Sequence, residues 1–166
     1  MSLFRKLQDQ PKLLERAYQW THKTVRWARP MLERIGYERV EPVFVVAEEI
    51  SKKAIFNCQM CGQCTLHTTG MTCPMNCPKN LRNGPCGGVR HDGHCEVKPE
   101  MPCVWLQAWE RSAKMTIYAD DIMIIQPPLD RRQEGKSAFI NMVEAEKRGL
   151  PAQWQAIIEH DIEKNG

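Results

Sequence analysis

The chain has 166 residues, 42 % of them apolar and 26 % charged, with a formal net charge of +3. That is about one ordinary domain, too apolar for a disordered chain and too weakly charged for a nucleic-acid binder without a clustered basic patch. No apolar run follows Met1-Ser2-Leu3-Phe4-Arg5-Lys6, and Val43–Ala47 and Ile122–Ile125 fall far short of the roughly 20 apolar residues of a membrane helix, so neither a signal peptide nor a membrane span is expected and the chain reads as cytoplasmic.

Residues 1–46 read as an N-terminal helical segment. Pro11 suits a first helical position. Leu14, Ala17, Tyr18, Thr21, Val25 and Ala28 then recur at helical spacing. Leu13, Trp20 and Trp27 widen the apolar face beyond what one helix buries, which fits either core packing or docking on a partner. Pro30 is expected to interrupt the helix and Gly36 to end a short continuation. Val43–Val46 is expected to be a strand. Residues 47–111 contain all eight cysteines and are rich in Gly, Pro, Asn and Thr. Loops should dominate there, and metal binding should supply much of the folding free energy. In the C-terminal extension, residues 112–166, Ile117–Ile125 fits a strand or a short helix, and Pro127-Pro128 marks a turn. Helices are expected over Ser137–Arg148 and Pro151–Glu163, the second with a stripe of Trp154, Ile157, Ile158 and Ile162. The expected fold is therefore small α+β, a loop-rich metal-bound cysteine core flanked by N- and C-terminal helices.

The chemistry lies in the cysteines. In a reducing compartment, Cys58, Cys61, Cys64, Cys73, Cys77, Cys86, Cys95 and Cys103 are metal ligands sooner than disulfides. Cys58-Gln59-Met60-Cys61-Gly62-Gln63-Cys64 is C-x2-C-x2-C, the opening of a ferredoxin-type ligand run in which three thiolates converge from one tight loop and a fourth arrives from further away. Cys73-Pro74-Met75-Asn76-Cys77-Pro78 repeats the cysteine–proline step of such loops. Asn83-Gly84-Pro85-Cys86-Gly87-Gly88 presents Cys86 on a sharply bent turn. One division gives the first three cysteines a four-iron cluster completed by a later cysteine such as Cys103. Cys73, Cys77, Cys86 and Cys95 are then left for a second site, zinc or a second cluster. One site with four unligated cysteines is also open. His67, His91 and His94 are expected to be spare. Lys79, Arg82, Arg90 and Lys98 either offset thiolate charge or lie on a solvated basic surface. No nucleophile–base pair, P-loop or G-x-G-x-x-G occurs, so no catalytic residue and no organic-cofactor residue is assigned.

The cysteine run, with Thr72–Lys79, Leu81–Gly88, Gly93–Val97, Cys103-Val104-Trp105 and Gln126–Arg132, resembles the cysteine-rich methylenetetrahydrofolate reductase C-terminal family over about Ala47 to Arg132. Members of that family occur as the small subunit of two-component methylenetetrahydrofolate reductases. The resemblance implies an accessory iron–sulfur or zinc subunit in one-carbon metabolism, with no active site of its own. It would relay electrons to, or structurally support, a flavin-bearing catalytic partner on another chain. The alternative is a zinc-ribbon-like protein- or nucleic-acid-interaction module, which a clustered basic face would mark; the low charge favours neither nucleic acid nor membrane as partner.

Overall fold

Pro11 opens a 25-residue helix, α1 (Pro11–Ile35), in the computed structural model, which describes residues 7–145, 159–160 and 162–164. The missing Pro11 N–H is harmless in the first turn, where no intrahelical acceptor exists. Gly36, at φ 93°, closes the helix, its N–H donating to the Leu32 carbonyl at 3.0 Å. Pro30 does not interrupt α1. It is exposed, so the carbonyl that loses its donor can turn to water.

Helix α2 (Tyr37–Phe56) follows at once and runs through both Pro42 and the expected strand Val43–Val46. Its β-branched run suggests a strand by propensity alone, but tertiary contacts decide. Val40 and Phe44 pack on a core of Val25, Leu32 and Val143. The pairs Glu48–Lys52 and Glu49–Lys53 bind at i,i+4 spacing. The helix also crosses residues 46 and 47, where composition changes. Asn57, left-handed at φ 50°, then turns the chain out into the cysteine loop.

The α+β expectation is overturned. Among the described residues there is no sheet, only the isolated bridges Val89–Cys95 and His94–Pro102. The Ile117–Ile125 stretch holds a 3-10 turn, Ala119–Met123. The remaining helices are α3 (Val104–Ser112) and α4 (Ala138–Ala145). Most of the expected helix Pro151–Glu163, with Trp154, Ile157 and Ile158, lies outside the described residues. No helix among them is long and apolar enough to cross a membrane.

Two buried carboxylates tie this architecture together. Glu48 on α2 accepts from Ser137 Oγ, Ala138 N (3.3 Å) and Phe139 N (3.2 Å). A negative charge thus sits on the otherwise unsatisfied donors that open α4. Ser137 completes the cap by accepting from Ile140 N at 3.2 Å. Glu15 on α1, 0 % exposed, accepts from Thr116 N (3.0 Å), Thr116 Oγ1 (2.6 Å) and Ile117 N (2.9 Å). Glu15→Ala leaves those donors without an acceptor and should lower stability by about 3 kcal/mol. Asp9→Ala removes only a surface ion pair to Arg111 and should cost no more than about 1 kcal/mol. Thermal unfolding of the two variants decides; equal midpoints would mean that Glu15 is no clamp.

The tryptophans of α1 do not enter the core. Leu14, Val25 and Leu32 face inward, while Trp20 and Trp27 are 72 % and 83 % exposed.

Candidate metal centre

The loop after α2 brings Cys58, Cys61 and Cys64 around one space, and Cys73 joins them there. Local backbone conformations make this possible. Met60 is left-handed at φ 48°, and its N–H donates to the Cys58 sulfur at 3.4 Å. Gly62, at φ 72°, lies directly under the Gln133 carbonyl, which any Cβ would strike. Asn76 fastens the Cys73 loop to the end of α2. Its Nδ2 donates to the Phe56 carbonyl at 2.9 Å, an acceptor the helix end leaves free, and its Oδ1 accepts from Asn57 and Gln59, both at 3.0 Å.

A later stretch of chain covers the loop. Gly135 N donates to Met60 O at 2.8 Å, and Asn141 Nδ2 to Gly62 O at 2.9 Å. Gln63 grips the Asp130 backbone at both ends, donating to its carbonyl at 2.8 Å and accepting from its N–H at 3.3 Å. Residues 130–141 therefore form a lid over the three-cysteine loop.

The thiols meet two cations. Burial pushes the Cys73 thiol up to about 12 and Cys58 up to about 11, and it raises Cys64 as well. Burial works against the Lys52 ammonium, but the charges of Cys64 and Glu48, with Cys58, outweigh it and hold its pKa above the ordinary value. Arg82 is pulled down by burial and supported by Cys61, Cys64 and Cys73. In metal-free protein at pH 8, a thiol of pKa about 12 is ionised in only about one copy in 10⁴. Exposed Cys86 should therefore react with iodoacetamide long before Cys73. Peptide mapping by mass spectrometry checks this; equal labelling rates would mean that the four-cysteine basket is open.

The other four cysteines lie in the next loop layer. Cys77 and Cys103 pack in one apolar cluster with Val104, Trp105 and Ala108. Cys103 N donates to Gly93 O at 2.9 Å, and Cys95 N to Met101 O at 3.0 Å. Cys86 stands 3.9 Å from Glu96, which also pairs with Lys79. Of the divisions the sequence leaves open, one had Cys103 beside the first three cysteines; the residue that lines their space here is Cys73. Among the described residues no three His, Cys, Asp or Glu side chains form a group fit for a metal ion.

His67 is buried between Tyr18, stacked at 5.0 Å, and Tyr118, at 5.4 Å. His91 is exposed, and His94 lies beside Asp92. Of the four cations singled out from sequence, Arg82 binds the Gln63 carbonyl between two basket cysteines, Lys79 pairs with Glu96 and Arg90 with Asp92. Sequence reasoning missed Glu48, Lys52, Gln63, Asn76 and Asn141. Glu48 and Lys52 carried a signal, an i,i+4 pair on the helix that leads straight into the first cysteine.

A family model described as "Methylene-tetrahydrofolate reductase C terminal" matches residues 37–132, more than half of the chain, from the start of α2 to the beginning of the lid. No curated protein and no solved structure matches.

Proposed function

Because the chain belongs to the methylene-tetrahydrofolate reductase C-terminal family, we propose that it is a non-catalytic iron–sulfur subunit of a reductase of that type, acting in folate-linked one-carbon metabolism in the cytoplasm beside a flavin-bearing catalytic chain. The observation that carries this reading is the common space lined by Cys58, Cys61, Cys64 and Cys73. Four thiols suit iron–sulfur or zinc. A zinc ion draws its sulfurs to about 2.3 Å from one point. A four-iron cluster is a larger body, and thiols set around a space rather than on a point fit it better. Cys77, Cys86, Cys95 and Cys103 remain for a second centre, cluster or zinc.

A cluster in the first basket would supply one-electron transfer. The chain's own residues do the rest. The four thiols give up their protons on ligation. Arg82 opposes the resulting negative charge, Lys52 being paired with Glu48, and residues 130–141 cover the loop that carries the first three thiols. Trp20 and Trp27, left bare on α1, supply anchors for the partner chain, since tryptophans set in an interface carry much of its binding energy.

Anaerobic preparation tests the reading. The protein should be brown, should contain iron and sulfide, and should bleach on reduction. Alone it should not reduce methylenetetrahydrofolate; with its flavoprotein it should form a complex that does. A colourless protein holding only zinc, or turnover without any flavoprotein, would refute it. Cys61→Ser separates the two roles within the complex. Assembly retained with electron flow lost means relay; lost assembly means structural support.

A further inference from the structure

We propose that Arg82 tunes the centre held by Cys58, Cys61, Cys64 and Cys73, donating its Nη1 hydrogens to the sulfurs on the Cys61 side and stabilising the reduced state. This rests on the reading of that basket as an iron–sulfur site.

The guanidinium is held by two backbone carbonyls. Nε donates to Pro127 O at 3.0 Å, and Nη2 donates to Gln63 O at 3.1 Å. Pro127 lies just before the lid, and Gln63 sits between two of the ligand cysteines. These bonds fix the plane of the fork, and so fix where the third nitrogen points. Nη1 is buried and has no hydrogen-bond partner. A buried guanidinium nitrogen without an acceptor is costly to leave so. The groups whose charges support this side chain are Cys61, Cys64 and Cys73, with Cys61 first among them, and Gln63, whose carbonyl it binds, lies between Cys61 and Cys64.

Its charge is also uncompensated. Lys52 lines the basket itself, but Glu48 neutralises it at 2.5 Å. Lys136 lines the rim and is exposed to solvent. Among the described residues no carboxylate pairs with Arg82. A half-buried cation with no carboxylate needs another anion, and ligated thiolates supply one. A fixed positive charge beside a centre that gains an electron favours the more negative state. Donors to cluster sulfur act in the same direction, so hydrogen bonding and charge both raise the potential.

The test is a redox titration of the full-length holoprotein, with dithionite as electron donor and electron paramagnetic resonance as readout. Arg82→Gln should keep its iron and sulfide but shift the reduced-to-oxidised ratio at fixed potential at least tenfold towards oxidised, about 59 mV for one electron. Arg82→Lys keeps the charge without the fork and should fall between that variant and wild type. Lys98→Gln, a change at an exposed position, should leave the potential alone. Independently of any variant, wild type labelled with ¹⁵N in its arginine side chains should show a nitrogen coupling to the reduced centre by electron–nuclear double resonance. A wild-type potential in Arg82→Gln with iron intact, or no such coupling in labelled wild type, overturns the assignment alone. Wild type without iron and sulfide overturns the underlying reading, and the assignment with it.

Discussion

Replacing Cys73 with serine should abolish the same iron–sulfur signal that Cys61→Ser abolishes, whereas Cys103→Ser should leave that signal in place. The first two thiols line one space, and Cys103 packs with Cys77 in a separate cluster. A cluster that loses one of four thiolates keeps only an oxygen ligand or water at that iron, and iron–sulfur sites depend on their thiolates. The expected effect is loss of essentially all of that centre, read as iron and sulfide per chain and by electron paramagnetic resonance. If Cys103→Ser reproduces the Cys61→Ser spectrum and Cys73→Ser does not, the fourth ligand has been misplaced.

Gly62→Ala should be strongly damaging although it removes no ligand. Two costs add. Gly62 sits at φ 72°, which alanine adopts only at about 1–2 kcal/mol. Its Cβ would also strike the Gln133 backbone carbonyl, which cannot swing aside as a side-chain tip does. Overpacking of that kind costs about 1–3 kcal/mol more. The total of about 3 kcal/mol falls on the contact between ligand loop and lid, so iron retention should suffer with stability. Gly36→Ala is the control. Gly36 also has a positive φ, 93°, but no atom lies within 4 Å of the added carbon. That variant should lose stability through its own backbone conformation and keep its iron. Equal loss of iron in both would mean that the lid does not press on Gly62.

Much of this was legible in the sequence, and the exceptions have physical causes. Pro11, the Leu14–Val25 spacing and Gly36 marked α1 because helix ends and apolar stripes are local signals. The C-x2-C-x2-C spacing marked one tight loop for the same reason. Val43–Val46 misled because β-branched residues favour strands only where a sheet exists to receive them, and here Val40 and Phe44 meet α1 and α4 instead. Pro30 misled because a proline on an exposed helical face costs the helix little beyond one donor. The company of Cys73 was hidden, because it depends on Asn76 folding back to the Phe56 carbonyl. Spacing along a chain does not report such a return. The lid was hidden as well. Gln126–Arg132 carried a turn signal at Pro127-Pro128 and a resemblance, neither of which shows that Asp130 meets Gln63 across 67 positions.

That separation orders events during synthesis. The ligands Cys58 to Cys73 leave the ribosome well before Asn141, the residue that bonds over Gly62. At about 5–20 residues per second, the intervening chain takes roughly 3–14 s to appear. For those seconds the four thiols stand uncovered to whatever would deliver iron and sulfide on the proposed reading. Once residues 130–141 arrive, their bonds to Met60, Gly62 and Gln63 cover the loop from that side. If the proposed centre is built on the nascent chain, its delivery has those seconds before the C-terminal end of the same chain closes over the loop.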